Sequence, residues 1–187
     1  MRRMTITPEI EALAEEYKER LLYKTPKNSV VSRACSNLKF LRDKINEGGI
    51  EPLQDIAYVD YIERIENRYE ILLTMHPKDF CDEFDAFNEI VGGTHLSDNL
   101  LVKVNRKGES IQPRNVKFYE LLVWALRYEN VQGSIFPDYI RKLGIRTCVY
   151  CNAQYAIATR QNKAFYQLDH CFPKSRYPFL ATSFFNL

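Results

Sequence analysis

Apolar residues recur at three- and four-residue spacings along most of this chain, a periodicity that predicts a series of amphipathic helices. Ile10, Leu13, Ala14, Tyr17 and Leu21 form one such face behind Thr7 and Pro8, an N-cap and a first-turn proline, so helix is predicted to about Leu22. Val31, Ala34, Cys35, Leu38, Leu41 and Ile45 mark a second helix, ended by Gly48-Gly49. Pro52 reads as the start of a third, through Ile56, Val59, Ile62, Ile65, Tyr69 and Leu72, until His76-Pro77 breaks it. Phe80, Phe84, Phe87, Ile90 and Val91 carry a fourth as far as Gly92-Gly93. The pattern then weakens: a short helix over Asp98–Val104 is expected, followed by turns at Lys107-Gly108 and Pro113. Asn115 would cap a helix over Val116–Glu129, broadened by Phe118 and Trp124 enough to make it central or partner-bearing. Ser134–Leu143 would be the last helix, with Gly144 as its cap.

After residue 144 the periodicity changes. Tyr155–Thr159 and Ala164–Leu168 are short and strand-like, so the fold class is mainly α: a helical domain over 1–144 and a small appended segment over 145–187. A hydrophobic content of 45% with 27% charged residues fits a soluble globular protein. No run of about 18 apolar residues is present, so no membrane span or membrane partner is expected. The five cysteines do not make a disulfide framework, which points to a reducing cytoplasm.

The net charge of +2 conceals an asymmetry. From Cys148 onward four cations (Arg160, Lys163, Lys174, Arg176) face one acid (Asp169), interleaved with Tyr155, Phe165, Tyr166, Phe172 and Tyr177. Such a segment suits a nucleic-acid backbone, the bland alternative being a small aromatic core with solvated cations. Asp79, Asp82, Glu83 and Asp85 cluster early in one predicted helix, where acids favour the dipole. Cys35 sits in an apolar stripe, as a small buried hydrophobe does.

The candidate chemistry is also in that segment. Hydrolysis of a phosphodiester needs a nucleophile generated near neutral pH and compensation of charge on the leaving oxygen; one imidazole and one hard cation supply both. His170 has the right intrinsic basicity, and the adjacent Asp169 offers the carboxylate oxygen that Mg²⁺ or Mn²⁺ prefers. The two can share a site if a strand ends there and the chain bends, as Pro173 suggests. Asn186 would return alongside to orient His170 or to support the site through its amide. Cys148 and Cys151 have the spacing of half a tetrahedral Zn²⁺ site, which would be structural. A redox role for Cys148-Val149-Tyr150-Cys151 would require a βαβ setting, and too little chain follows it here.

Taken in order, the CxxC of Cys148 and Cys151, the hairpin, Asp169-His170, Pro173-Lys174-Ser175 and Asn186-Leu187 resemble the zinc-stapled branch of the HNH (ββα-metal) endonucleases. The similarity is greatest to the HNH nucleases of bacterial anti-phage and retron-associated systems. It implies a metal-dependent hydrolase of nucleic acid, DNA more than RNA, acting in defence beside an ATPase partner. Asp169 would be the Mg²⁺ or Mn²⁺ ligand, His170 the general base and Asn186 a support residue. Lys174 and Arg176, with Lys163 and Arg160, would contact phosphates. In that family a second CxxC and a closing helix follow the Asn-Leu, whereas this sequence ends at Leu187. The expectation is therefore a truncated or interrupted product, binding zinc poorly and cleaving weakly or not at all by itself. Cys171 is a candidate third sulfur, although its place beside His170 suits loop packing better. The alternative function is a non-catalytic helical interaction module with a zinc-knuckle remnant.

Overall fold

The computed structural model describes residues 6–23, 29–52, 56–144 and 170–186. Helix α1 (Pro8–Leu22) buries Ala14, Tyr17 and Leu21. Helix α2 (Val30–Asn46) starts where Ser29 Oγ accepts the Ser32 N–H at 2.9 Å, and it ends at Gly48, whose φ of +74° suits a residue without a side chain. Strand β1 (Ile50–Pro52) follows, then α3 (Tyr58–Leu72), a 3-10 turn (Pro77–Asp79) and α4 (Phe80–Ile90). After a second 3-10 turn (His95–Ser97) come β2 (Asn99–Val104), β3 (Ser110–Lys117), α5 (Phe118–Ala125), α6 (Tyr128–Ser134) and α7 (Phe136–Lys142). The described residues are thus mostly helical with one small antiparallel sheet, ordered β1-β2-β3. None of the helices among them is long and apolar enough to cross a membrane.

Three predicted elements differ. Asp98–Val104 is not helical: Asn99–Val104 is the central strand of the sheet. Leu100 and Val102 alternate into the core, at 0% and 4% exposure, so the operative period is two, and the apolar run is too short to settle a helix by itself. The Lys107-Gly108 turn is where it was expected, and it closes a hairpin. Asn105 Oδ1 accepts the N–H groups of Lys107 and Glu109, at 2.8 and 3.1 Å. Pro113 lies in edge strand β3 where the register slips between the Val102–Arg114 and Val104–Ser110 pairs, a position where a missing N–H is tolerated.

Pro52 does not open a helix. It ends edge strand β1, paired with Leu100, and α3 begins only at Tyr58. The expected helix over Val116–Glu129 is shorter, because Asn115 and Val116 are still paired in β3. It also stops early. Arg127 adopts left-handed backbone angles (φ 59°, ψ 35°), so α6 sets off in a new direction, and Pro137 in the first turn of α7 separates that helix again.

One apolar core collects these elements, and it is unusually aromatic: Tyr17, Tyr58, Tyr61, Tyr69, Tyr139, Phe80, Phe87, Phe118, Phe136 and Phe179 are all fully buried. Helix α5 is central, touching α2, α6, β3 and the 3-10 turn Pro178–Leu180, and Asn37 Nδ2 on α2 donates to the Ala125 carbonyl at 3.1 Å. Trp124 is only half-buried, edge-on to Phe40 with Arg106 over its ring. Phe179, Leu180, Ala181 and Phe184 belong to the same core, so residues 170–186 are docked on the helices.

Candidate functional site

The docked segment is held by groups that the helices supply. The Tyr17 hydroxyl donates to the Thr182 carbonyl at 2.6 Å, and the Phe184 N–H donates to the Leu73 carbonyl at 2.8 Å. The Tyr69 hydroxyl donates to the Leu126 carbonyl at 3.3 Å and so receives the Thr182 hydroxyl, 3.1 Å away. Aromatic packing supplies the apolar share. Phe179 stacks on Phe87 with centroids 3.9 Å apart and planes 11° from parallel, and Phe172 meets Phe80 and Phe84 edge-on.

Within this frame Asn186 acts as a clamp. Its side-chain Oδ1 accepts the Phe172 N–H at 2.7 Å, while Nδ2 donates to the carbonyls of Phe172 and Leu180, at 3.2 and 3.1 Å. Its own carbonyl accepts the Cys171 N–H at 3.0 Å. Asn186 is fully buried, so all this bonding is internal. The Asn186 side chain therefore holds Phe172 and Leu180, and its carbonyl holds Cys171; neither bonds the imidazole ring itself.

His170 is buried, with 7% exposure. Its Nε2 lies 3.0 Å from the Ala181 carbonyl oxygen, and its ring centroid lies 4.9 Å from that of Tyr128 at the start of α6. A carbonyl only accepts, so Nε2 donates to it.

The turn after Pro173 is closed by the Arg176 and Tyr177 N–H groups, both donating to the Pro173 carbonyl at 2.9 Å. It places Lys174 Nζ 4.3 Å from the centroid of the same Tyr128 ring, a cation–π distance. Arg176 is exposed and lies 5.9 Å from the Tyr177 ring. Cys171 is exposed and is not in a disulfide.

His170, Lys174 and Asn186 are therefore gathered on one docked loop. Asp169, Cys148, Cys151, Arg160, Lys163 and the hairpin of Tyr155–Thr159 with Ala164–Leu168 lie outside the described residues. Among the described residues no three His, Cys, Asp or Glu side chains gather as a metal-binding group. The acidic cluster on α4 contains a buried ion pair. Glu83, its side chain 6% exposed, receives Arg64 Nε and Nη2 at 3.1 and 2.8 Å on Oε1 and Arg68 Nη2 at 2.8 Å on Oε2. The residue that sequence inspection misses is Tyr128. It lies 42 positions before His170, and no local motif marks it.

Set against protein-family models, curated proteins and solved structures, the chain matches none of them.

Proposed function

We propose that this chain carries the catalytic loop of a metal-dependent endonuclease of HNH, ββα-metal type, hydrolysing DNA phosphodiesters, with a role in bacterial defence beside an ATPase partner. The observation that supports it most is that His170 and Lys174 are brought together on one docked loop that Asn186 holds still.

In this mechanism the His170 imidazole takes a proton from water as the water oxygen bonds to phosphorus. The P–O bond to the leaving nucleotide then breaks, and solvent returns a proton to that oxygen. Lys174 and Arg176 hold the flanking phosphates. Asp169 has the hard oxygen donors that suit Mg²⁺ or Mn²⁺, and Cys148 and Cys151 the thiolates that suit Zn²⁺. The catalytic cation would stabilise charge on the leaving oxygen and the zinc would be structural.

The test is nicking of supercoiled plasmid in Mg²⁺ by the full-length gene product beside its His170→Ala form, with RNA as a second substrate. Loss of about 10²- to 10⁴-fold in rate is expected for removal of a general base. Equal rates would overturn the proposal. A second reading, a non-catalytic helical interaction module, is favoured by the 7% exposure of His170, low for a group that must meet water; it predicts those equal rates.

A further inference from the structure

We infer that Tyr128 is a positioning residue of this site: its ring is the shared platform on which the His170 imidazole and the Lys174 ammonium are aligned. The inference rests on the nuclease proposal for its meaning, though not for its measurement.

Tyr128 is 3% exposed, and both polar groups of the loop lie within 5 Å of its ring centroid, the imidazole at 4.9 Å and Nζ at 4.3 Å. An aromatic residue that merely filled the core would have no reason to collect an imidazole and an ammonium from one turn. The ammonium favours the electron-rich ring face, and the imidazole packs against the same flat ring. With Nε2 bonded to Ala181, contact with Tyr128 restrains rotation about that bond and so fixes the orientation of the ring. Because both groups lean on one ring, their separation is bounded too, which an attack on phosphorus beside a held phosphate requires.

The backbone supplies an independent sign. Arg127, immediately before Tyr128, is the one non-glycine among the described residues with positive φ, and its Nε is buried without a partner among them. Left-handed geometry is unfavourable for a side chain of this size, and it persists where surrounding structure demands it. Here it turns the chain between α5 and α6 and so delivers Tyr128 to the loop.

The experiment compares Tyr128→Phe and Tyr128→Leu in the full-length gene product. It uses ring ¹⁵N shifts of His170 at one neutral pH to read the tautomer, and nicking assays to read kcat and KM. Tyr128→Phe keeps the ring, so the Nε2–H signature and a kcat within about twofold are expected. Tyr128→Leu is expected to mix the tautomers and to lower kcat about ten- to a hundredfold, the scale of a misplaced catalytic group, with KM raised as Lys174 loses its seat. If Tyr128→Leu does not fold, Tyr128→Met, which fills more of the volume, carries the same readouts. A folded variant without the ring that keeps the wild-type His170 signature overturns the inference. Unchanged nicking by His170→Ala overturns only the nuclease proposal, so the two failures are separable.

Discussion

Tyr17, in the first helix, donates its hydroxyl hydrogen at 2.6 Å to the main-chain carbonyl of Thr182, 165 positions later. Both residues are buried, at 0% and 1% exposure, so water cannot replace the bond. Tyr17→Phe keeps the ring but strands that carbonyl, and it should destabilise the fold by about 1–3 kcal/mol. Tyr61 provides the contrast: its hydroxyl is buried with no partner among the described residues, so Tyr61→Phe should be neutral or stabilising. Urea unfolding of the two variants checks both, and an equal loss in the pair would refute the assignment.

Asn186→Asp is nearly isosteric but replaces the Nδ2 donor with an acceptor. The Phe172 and Leu180 carbonyls, 3.2 and 3.1 Å away, would then face a carboxylate oxygen in a buried site. A burial cost of about 2 kcal/mol or more follows, confined to the loop. Hydrogen exchange at the Phe172 amide should speed up in the variant while the amides of α2 and α3 keep their protection. Unchanged exchange at Phe172 would show that the clamp is not holding the loop.

The helices with long, regular apolar stripes were legible in the sequence. For α1, α2 and α4 the apolar stripe agrees with its flanking signals, Thr7 and Pro8 before α1 and the glycine pairs after α2 and α4, and tertiary contacts had nothing to override. The hairpin was not legible, because Leu100, Leu101, Val102 and Val104 satisfy a helical spacing as well as an alternating one. What decides for strand is pairing with Ile50–Pro52, some 50 residues away. The break at Arg127 was equally hidden, since arginine is a good helix former and only packing imposes its left-handed angles. Of the site, the sequence showed His170, Lys174 and Asn186 as neighbours of one motif. It could not show Tyr128, Tyr17 or Tyr69, which reach the loop by folding alone.

Glu83 is the hinge of a different prediction. Its carboxylate is nearly enclosed, whereas its two partners, Arg64 and Arg68, keep 30% and 36% of their side-chain exposure. Breaking a fully buried pair costs about 3–5 kcal/mol and an exposed one under about 1, so Glu83→Ala should cost about 2 kcal/mol. Because salt screens exposed charges, wild type should lose only a little stability between low and high ionic strength. A loss below about 0.5 kcal/mol for Glu83→Ala would mean that the two guanidiniums are satisfied by water.

The buried phenols predict how the fold fails at high pH. Burial is the first cause that pushes the Tyr17 hydroxyl well above its ordinary pKa, with the neighbouring Tyr69 and Tyr139 adding to it. Burial alone does the same to Tyr61, and burial again leads for Tyr69. A phenol whose folded pKa is raised stabilises the fold fully below its unfolded pKa of about 10, and that contribution is lost as pH rises beyond it. Tyr17 and Tyr69 meet the docked loop at Thr182, while Tyr61 packs on Phe87 and Phe118, and none can ionise in place without putting an unpaired charge in the core. Phenolate absorbance should therefore rise in two stages: exposed tyrosines near pH 10, then a cooperative step that coincides with loss of helical circular dichroism. Complete ionisation of all 12 tyrosines near pH 10 with the helical signal intact would contradict the burial of Tyr17, Tyr61 and Tyr69, and with it the docking of residues 170–186.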